Sequence, residues 1–428
     1  MHVFFSGIGG TAIGPLAQIA HQAGYDVSGS DKQSSGYIDY LVDQGITNIN
    51  IGQDLASIEH VHADKPIDWL VYSSAVAMEQ SESTELQFCR DHHIKTSKRD
   101  TFIANFIKDK NLQMIAIAGT HGKTTTTAMV IWLLEQSHIP ISYSVGAKLS
   151  FGNMGQYDER SKYFVYEADE FDKNFLAFKP AISIITGIDW DHPDIYPTRD
   201  EYNQAFSQFI SQSQQAFLWS DDAEKLNLQN TDKIEVLTKG DKPTSALVGQ
   251  VNRENASIVA QAMMRLLQKF NKVELVNTLN DFPGVSRRFE KISDNIYSDY
   301  AHTPAKIRGA LQIARETTDG NIVVVYEGLH NTRQHFIKNE LPHLFEPAKD
   351  VYIVPNYRAR EDESLEDLTP DKLAALTSDN TAAKPALLND DLLQAINRHT
   401  QAGDLVLCLS AGGGGSLDEW LRNKFTNN

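Results

Sequence analysis

A glycine-rich segment with one lysine and several hydroxyl side chains lies near residue 120. It reads Gly119-Thr120-His121-Gly122-Lys123-Thr124-Thr125, after the apolar stretch 112–118 and before a helix-forming stretch. Glycines let backbone N–H groups turn toward a phosphate, and a helix N-terminus adds partial positive charge. Lys123 can reach the outer phosphates of a nucleotide, and the hydroxyl of Thr124 or Thr125 can hold Mg²⁺. The segment predicts a nucleotide site, in a shorter form than the usual phosphate loop, whose first glycine would stand at Ile117.

Two acidic segments further along the chain could complete a magnesium site. Glu167-Ala168-Asp169-Glu170 ends the predicted strand 163–167, and Asp191-His192 follows the apolar strand 181–186. Mg²⁺ prefers oxygen ligands and usually keeps waters and substrate phosphates as further partners. A carboxylate of the first segment is therefore a candidate metal ligand, and His192 is a candidate metal ligand or general base. Taken alone, each also fits an ordinary solvated or structural side chain.

The N-terminal segment carries a second glycine pattern. Gly7-Ile8-Gly9-Gly10-Thr11-Ala12 follows the predicted strand 2–6 and opens a predicted helix, and Ser30-Asp31 comes later. This matches the Gly-x-Gly-x-x-Ala form of the dinucleotide fingerprint, in which an acidic residue such as Asp31 contacts a ribose. By itself the pattern predicts a nicotinamide-dependent dehydrogenase. Its physical content is only a diphosphate at a helix N-terminus, so the nucleoside stays open.

A third group of charged and aromatic residues lies toward the C-terminus. It contains Arg287-Arg288-Phe289-Glu290, Asp299-Tyr300-Ala301-His302-Thr303-Pro304 and Arg333. Arginine suits the stabilisation of phosphate charge in a transition state. As isolated residues these would more often be surface charges.

Strand and helix patterns alternate along the chain, which indicates α/β domains with parallel sheets. The apolar stretch before Gly119 begins a second set of such elements, and the turn-rich segment 280–284 precedes a third. We therefore predict an α/β protein of three domains, at 1–107, 108–280 and 281–428.

Composition excludes several classes of protein. Lys and Arg number 39 and Asp and Glu number 56 among 428 residues, a net charge of −17, which argues against nucleic acid as a partner. The two cysteines, Cys89 and Cys408, can form neither a disulfide framework nor a cysteine metal site. No apolar run approaches the ~20 residues of a membrane span. The N-terminus lacks the basic start of a signal peptide, so we expect a cytoplasmic protein without a membrane partner.

Taken together and in this order, the motifs resemble the ATP-dependent Mur ligase family of peptidoglycan synthesis. The resemblance covers essentially the whole chain. It is carried by the residues at 119–125, 167–170 and 191–192, by Asn252 with Asn255, and by 287–289 and 299–304. It implies a Rossmann-like UDP-binding domain, a central ATP-binding domain of the P-loop type and a Rossmann-like C-terminal domain.

The resemblance also implies roles for individual residues, with ATP and Mg²⁺ as cofactors. Lys123 and the amides of its loop would bind ATP, Thr124 and Glu167 would hold one Mg²⁺, and His192 would hold or orient a second. Further ATP contacts would come from Asn252, Asn255, Arg288 and Asp299. His302 and Arg333 would face the reacting centre or the incoming amino acid. The UDP-sugar would be held by Gly7, Gly9, Gly10, Thr11, Ser30, Asp31, Ser73 and Ser74, so the N-terminal glycine pattern would bind UDP and not NAD.

The N-terminal motifs resemble two branches of the family, both of which use UDP-N-acetylmuramate. One branch joins L-alanine to its lactyl carboxylate, and the other attaches the ready-made tripeptide L-Ala-γ-D-Glu-meso-diaminopimelate. Ala359-Arg360-Glu361 fits the first branch, which we favour, with a monomer or weak homodimer as the expected state. A non-catalytic UDP-sugar-binding homologue is a third possibility, because the C-terminal segments 299–304, 327–333 and 411–415 depart from the family's motifs.

Overall fold

A computed structural model describes residues 1–73, 76, 83–192, 195–240, 245–268, 270–358, 361–377 and 382–426. Its strands form three sheets. The first sheet is parallel throughout, in the order β3-β2-β1-β4-β5. Its strands are β1 (His2–Ser6), β2 (Asp26–Asp31), β3 (Ile49–Ile51), β4 (Trp69–Tyr72) and β5 (Lys95–Lys98). The helices of this part are α1 (Gly14–Gln22), α2 (Gly36–Asp43), α3 (Leu55–Asp64), α4 (Thr84–Asp91) and α5 (Arg99–Asp109).

The second sheet has the order β12-β11-β10-β6-β9-β7-β8, with β8 antiparallel to β7 and all other neighbours parallel. Its strands are β6 (Gln113–Ala118), β7 (Ile141–Ser144), β8 (Gly155–Gln156), β9 (Tyr163–Glu167), β10 (Ile182–Ile185), β11 (Gln215–Trp219) and β12 (Ile234–Leu237). The helices here are α6 (Lys123–Gln136), the 3₁₀ segment Phe171–Ala177, α7 (Arg199–Gln212), α8 (Ser220–Lys225), α9 (Gln250–Leu266) and α10 (Lys272–Asn280).

The third sheet has the order β13-β14-β18-β15-β16-β17, with β13 antiparallel to β14 and the other neighbours parallel. Its strands are β13 (Glu290–Ser293), β14 (Ile296–Asp299), β15 (Ile322–Leu329), β16 (Asp350–Tyr357), β17 (Ala382–Pro385) and β18 (Leu405–Leu409). Its helices are α11 (Pro304–Thr317), α12 (Asn331–Ile337), the 3₁₀ segment Lys338–Glu340, α13 (Pro370–Leu376), α14 (Asp390–Gln401) and α15 (Leu417–Phe425).

The three predicted ranges 1–107, 108–280 and 281–428 each contain one of these sheets. The contacts within the chain group it into two compact units. Unit 1 comprises Met1–Ser245 and Asn255–Pro283, with the first and second sheets, and unit 2 comprises Ala246–Glu254 and Gly284–Asn428, with the third sheet. The predicted α/β class with parallel sheets is confirmed, while the domain boundaries stay a prediction.

Central parallel strands such as β1, β6 and β10 are buried on both faces, as their apolar sequences require. In β1, Val3 and Phe5 lie in one core, while Phe4 packs with Leu70 and Phe88 in another. Successive side chains of a strand point to opposite faces, so one short apolar run serves both cores. The carboxyl ends of neighbouring parallel strands meet at one edge, where ligands of such sheets bind.

The first helix differs from its predicted start. It was expected directly after Gly10, but α1 begins at Gly14, and residues 7–13 form successive turns. The Gly10 N–H donates to the Gly7 carbonyl at 3.1 Å, and the Gly14 N–H donates to the Gly10 carbonyl at 2.9 Å. Pro15 explains the later start, because proline lacks an N–H and fits the first turn of a helix. Among the described residues, no helix is both long and apolar enough to cross a bilayer.

Candidate active site

The loop between β6 and α6 has a conformation that only glycine allows at its first position. Gly119 has φ +139° and Gly122 has φ +75°. A Cβ on Gly119 would lie 2.4 Å from the Thr186 hydroxyl and 2.9 Å from the Gly187 carbonyl oxygen. The loop is therefore packed directly against the segment that follows β10.

Hydrogen bonds hold the loop to that segment. The Thr120 N–H donates to the Gly187 carbonyl at 2.8 Å. The Thr120 hydroxyl donates to the Asp189 carbonyl at 2.6 Å and accepts from the Asp189 N–H at 2.9 Å. The His121 ring lies 3.0 Å from the Asp189 carboxylate. This bond, together with Lys225, holds the pKa of Asp189 well below its usual range.

Lys123, the first residue of α6, is engaged by carboxylate and carbonyl oxygens. Its Nζ donates to the Gly119 carbonyl at 2.6 Å and to the two Glu170 oxygens at 2.9 and 2.7 Å. Burial alone lowers the pKa of this amine, but the nearby carboxylates, Glu170 foremost, raise it above its ordinary value. Lys123 is therefore a protonated cation at the start of a helix, next to the glycine loop.

Thr124 and Glu167 come together as predicted metal ligands would. The Thr124 hydroxyl donates to Glu167 Oε1 at 2.8 Å, and Glu167 Oε2 accepts from the Gly146 N–H at 2.8 Å. A hydroxyl and a carboxylate are oxygen donors of the kind that Mg²⁺ takes. In the part of the chain that the structure describes, no three His, Cys, Asp or Glu side chains cluster as a metal site.

His192 lies beside Glu170 and its own neighbour Asp191. Its Nε2 is 3.9 Å from Glu170 Oε1 and 3.9 Å from Asp191 Oδ2. The backbone of His192 is left-handed, with φ 54°, and its N–H donates to Asp191 Oδ1 at 2.7 Å. The ring packs edge-on against Phe171, with centroids 5.0 Å apart. His192 thus reaches the acidic turn after β9 through Glu170.

Asp169 is the third carboxylate of this turn, and its partner is an arginine from far along the sequence. Arg99 Nη2 donates to Asp169 Oδ2 at 2.8 Å across a separation of 70 residues. Burial tends to raise the pKa of Asp169, but Arg99, Lys123 and His192 together hold it below its ordinary value. The sequence analysis gave Arg99 no role, because nothing near it in the sequence signals this pairing. Glu170, by contrast, stood within a recognised motif.

The remaining predicted ATP residues fall in both units. Asn255 is 3% exposed, and a Cβ on Gly122 would lie 3.2 Å from its amide atoms. Its Nδ2 has no hydrogen-bond partner among the described residues. Thr125 follows Thr124 on α6 and is half-buried. Asn252 belongs to unit 2, and its amide donates to the Val248 carbonyl at 2.8 Å.

The N-terminal glycine loop is tied to the end of β2. The N–H groups of Gly7 and Ile8 donate to the Ser30 carbonyl at 2.8 and 3.0 Å. The Gly9 N–H donates to Asp31 Oδ2 at 2.9 Å. One carboxylate oxygen of Asp31, the residue predicted to contact the ribose, therefore already holds the loop. A Cβ on Gly9 would lie 2.9 Å from the Ser35 hydroxyl and 3.0 Å from that Asp31 oxygen. Asp31 therefore positions the glycine loop.

A buried carboxyl lies beneath this loop. Glu85, on α4, accepts hydrogen bonds from the hydroxyls of Ser6 and Ser30, and burial raises its pKa. Ser30, one of the predicted UDP-sugar residues, is fully buried, and its hydroxyl donates to Glu85.

Of the other predicted UDP-sugar residues, Gly10 and Thr11 are exposed at the tip of the glycine loop. Ser73 lies beside Gly7, with its hydroxyl 3.8 Å from where a Gly7 Cβ would stand. Ser74 lies outside the described residues.

In unit 2, the predicted site residues gather at the carboxyl end of β14. Arg288 lies over the Tyr300 ring at 4.7 Å. Asp299 Oδ2 accepts from the Phe289 N–H at 2.7 Å, and burial raises the Asp299 pKa. His302 is 6% exposed, with Nδ1 2.9 Å from the Tyr300 carbonyl.

Arg333 is on α12, which follows β15, the second strand along from β14 in the same sheet. Ala359 and Arg360, which the sequence analysis linked to the amino-acid site, lie outside the described residues.

Three family models match successive parts of the chain. The first, described as the Mur ligase family catalytic domain, matches residues 2–111. The Mur ligase middle domain matches residues 117–276, and the Mur ligase glutamate ligase domain matches residues 287–412.

Curated relatives are similar along their full length. The UDP-N-acetylmuramate–L-alanine ligase of Clostridium tetani is 29% identical over 449 residues, covering 96% of this chain and 95% of that protein. The enzyme of the same name from Desulforamulus reducens is 29% identical over 455 residues, with the same coverage.

Two solved structures share the fold. UDP-N-acetylmuramate–alanine ligase of Thermotoga maritima has a TM-score of 0.72 at 22% identity, over 100% of this chain and 98% of that one. A murein peptide ligase of Psychrobacter arcticus has a TM-score of 0.66 at 20% identity, with the same coverage. Because three models of one family match consecutive parts of the sequence from residue 2 to residue 412, the chain belongs to the Mur ligase family.

Proposed function

We propose that this chain is an ATP-dependent ligase that joins L-alanine to the lactyl carboxylate of UDP-N-acetylmuramate through an acyl phosphate. The observation that carries the chemistry is the arrangement of Lys123, Thr124 and Glu167 around one glycine loop, with Lys123 protonated. The choice of substrates is supported by relatives named UDP-N-acetylmuramate–L-alanine ligase that match over 95% of their length.

The first step brings two anions together, because the lactyl carboxylate attacks the γ-phosphorus of ATP. Lys123 would bind the β- and γ-phosphates and offset part of their charge as the new O–P bond forms and the bond to ADP breaks. Held by Thr124 and Glu167, Mg²⁺ would supply further charge neutralisation and Lewis acidity. The amides of Gly119–Lys123 would orient the phosphates at the start of α6.

In the second step, the amino group of L-alanine attacks the acyl carbon. The C–N bond forms, inorganic phosphate leaves with the former carboxylate oxygen, and the amine loses a proton. We assign His302 and Arg333 to the side from which the amino acid arrives, and Arg288 and Asp299 to the ATP. An acyl phosphate must be shielded from water, so enclosure of the site is part of the chemistry.

The sugar nucleotide is assigned to the first sheet. Gly10 and Thr11 lie exposed at the tip of the glycine loop, where a diphosphate could approach the backbone closely. Asp31 and Ser30 hold this loop in place through Gly7, Ile8 and Gly9. We also retain the three domains, a monomer or weak homodimer, the cytoplasm, and the lack of nucleic-acid and membrane partners as predictions.

The test is phosphate release from MgATP with UDP-N-acetylmuramate and each candidate acceptor in turn. Release that depends on L-alanine supports the proposal. Release only with L-Ala-γ-D-Glu-meso-diaminopimelate would assign the chain to the tripeptide-adding branch. Sugar-nucleotide binding without release for any acceptor would indicate a non-catalytic homologue.

The matched pair of variants for this assay is Lys123→Ala and Lys110→Ala. Lys123→Ala removes the cation of the glycine loop and should abolish release while UDP-N-acetylmuramate still binds. Lys110 caps the C-terminal end of α5 and donates to the Ala23 carbonyl at 3.2 Å, with no contact to the glycine loop among the described residues, so its variant should retain activity. Full activity of Lys123→Ala would refute the assignment of the phosphate site.

A further inference from the structure

Arg99 is a buried cation next to the ATP site that the proposed chemistry leaves without a role. It is the first residue of α5 and directly follows β5 of the first sheet. Its side chain is 11% exposed, and Nη2 donates to Asp169 Oδ2 at 2.8 Å. The edge of the first sheet thus supplies a charged group to the acidic turn of the second.

Asp169 organises the backbone of that turn. Its Oδ1 accepts from the Phe171 N–H at 3.2 Å, and its carbonyl accepts from the Phe175 N–H at 3.1 Å. Glu167 and Glu170 flank it in the sequence. A salt bridge that fixes the Asp169 side chain therefore also fixes the positions from which the other two carboxylates project.

Arg99 also neutralises one of the three negative charges of this turn. The three carboxylates of the turn lie within four consecutive residues, and buried charges are costly unless each has a partner. Glu170 is paired with Lys123, while Asp169 is paired with Arg99. Without Arg99, the Asp169 carboxylate would compete with phosphate for Lys123 and would repel a bound polyphosphate.

We propose that Arg99 is a positioning residue of the ATP and metal site, which neutralises Asp169 and so keeps Lys123 available to ATP. The inference rests on the proposed function, because it takes ATP and Mg²⁺ as the ligands of this turn. It predicts that loss of Arg99 changes the affinities for ATP and for a divalent cation in opposite directions. Loss of Arg99 adds net negative charge, which weakens the binding of ATP and strengthens the binding of a free divalent cation. A purely structural role would weaken both.

The experiment measures binding to the ligand-free full-length protein, without turnover. Mn²⁺ affinity is measured by electron paramagnetic resonance, and ATP affinity by calorimetry in the presence of a chelator. For Arg99→Gln we expect the Kd for ATP to rise about tenfold and the Kd for Mn²⁺ to fall about threefold, as expected for one uncompensated charge nearby. Unchanged values for both ligands, or weaker binding of both, would overturn the proposal.

Lys98→Ala is the matched control. Lys98 Nζ lies 2.5 Å from Asp172 Oδ2, so this pair joins the same two segments, but its side chains are 34% and 20% exposed. Removing it should leave both Kd values within about twofold, because solvent reaches both side chains and screens their charges. A Lys98→Ala variant with the same opposite shifts would show that the effect is not specific to Arg99, and would also overturn the proposal.

Arg99→Gln combined with Asp169→Asn keeps the net charge and leaves no buried carboxylate unpaired. This double variant should return both Kd values toward those of the unaltered protein, and it carries the test if Arg99→Gln alone does not fold. Failure of a folded double variant to bind ATP would contradict the proposal. Failure of the unaltered protein to bind ATP would contradict the proposed function instead.

Discussion

Individual residues of the phosphate loop are held by ionic partners that a nucleotide would have to replace. Lys123 donates to both oxygens of Glu170, which is 1% exposed, as well as to the Gly119 carbonyl. Bound phosphates would therefore exchange one anionic partner of Lys123 for another, with the lysine already charged and in place. Preorganised cations of this kind lower the reorganisation needed at the transition state.

Thr124→Val tests the metal assignment at the residue scale. The substitution keeps the shape of the side chain and removes the hydroxyl that donates to Glu167 at 2.8 Å. We expect the Mg²⁺ concentration for half-maximal activity to rise by about tenfold, as for loss of one metal ligand or of a hydrogen bond that orients one. The measurement is ligase rate against Mg²⁺ at saturating ATP.

Thr126→Val is the control on the same helix. Thr126 is fully buried, and its hydroxyl has no hydrogen-bond partner among the described residues. Its removal should leave the Mg²⁺ dependence unchanged and raise the melting temperature slightly, because an unsatisfied buried hydroxyl is costly. Equal Mg²⁺ curves for the two valine variants would show that Thr124 does not serve the metal.

Sequence alone predicted the site residues that lie close together along the chain. The glycine loop, Lys123 and Thr124 are one continuous motif, and their chemistry follows from local geometry. Arg99 and Asp189 were missed as partners, since Asp189 meets His121 across 68 residues and Arg99 meets Asp169 across 70. Such pairs depend on strand order, which spacing does not reveal.

At the scale of elements, the turn from β6 into α6 depends on the space around Gly119. An alanine there would combine φ +139° with a Cβ 2.4 Å from the Thr186 hydroxyl. We expect Gly119→Ala to lower the free energy of unfolding by more than about 2 kcal/mol, because strained backbone and overlap add. Chemical denaturation of Gly119→Ala and of the unaltered protein measures this difference in the free energy of unfolding.

Gly36→Ala is the comparison for that variant. No atom lies within 4 Å of a Cβ at Gly36, which is the first residue of α2. Alanine there should change the free energy of unfolding by no more than about 1 kcal/mol, in the stabilising direction. Similar losses for both variants would contradict the account of the β6–α6 turn.

Glu85 connects three elements, because it lies on α4 and accepts from serines at the ends of β1 and β2. Burial raises its pKa above the ordinary 4.5. At pH values between 4.5, the pKa of an ordinary glutamate, and the raised pKa of Glu85, the folded state keeps a proton that the unfolded state has lost. The free energy of unfolding therefore falls as pH rises through this range. Glu85→Gln should remove this part of the pH dependence.

The measurement is denaturation at a series of pH values from about 4.5 upward, the region set by the raised pKa. Glu59→Gln, at an exposed position of α3, is the control and should leave the profile unchanged. A Glu85→Gln profile that falls as steeply as that of the unaltered protein would show that this carboxyl is not the source.

Most strands and the parallel class were predictable, because continuous apolar runs between turns are typical of buried parallel strands. The start of α1 was not, since the three turn residues 11–13 separate Gly10 from Gly14, where the helix begins. The strand order β3-β2-β1-β4-β5 depends on which helices cross which face, and the sequence does not state that locally.

At the scale of the whole molecule, family membership and the site agree on one chemistry. Three Mur ligase models match in succession, and in the middle region Lys123 and Thr124, which follow the glycine loop, pair with Glu170 and Glu167 respectively. The dehydrogenase interpretation of the N-terminal glycine pattern is superseded by this membership.

The most direct test follows the carboxylate oxygen. UDP-N-acetylmuramate labelled with ¹⁸O in its lactyl carboxylate is incubated with MgATP, L-alanine and the full-length protein, and the inorganic phosphate is analysed by mass spectrometry. The account predicts that each phosphate released carries one oxygen from the carboxylate, because the C–O bond of an acyl phosphate breaks when the amine attacks. Phosphate released without the label would mean that ATP is hydrolysed by water, and would contradict ligation through an acyl phosphate.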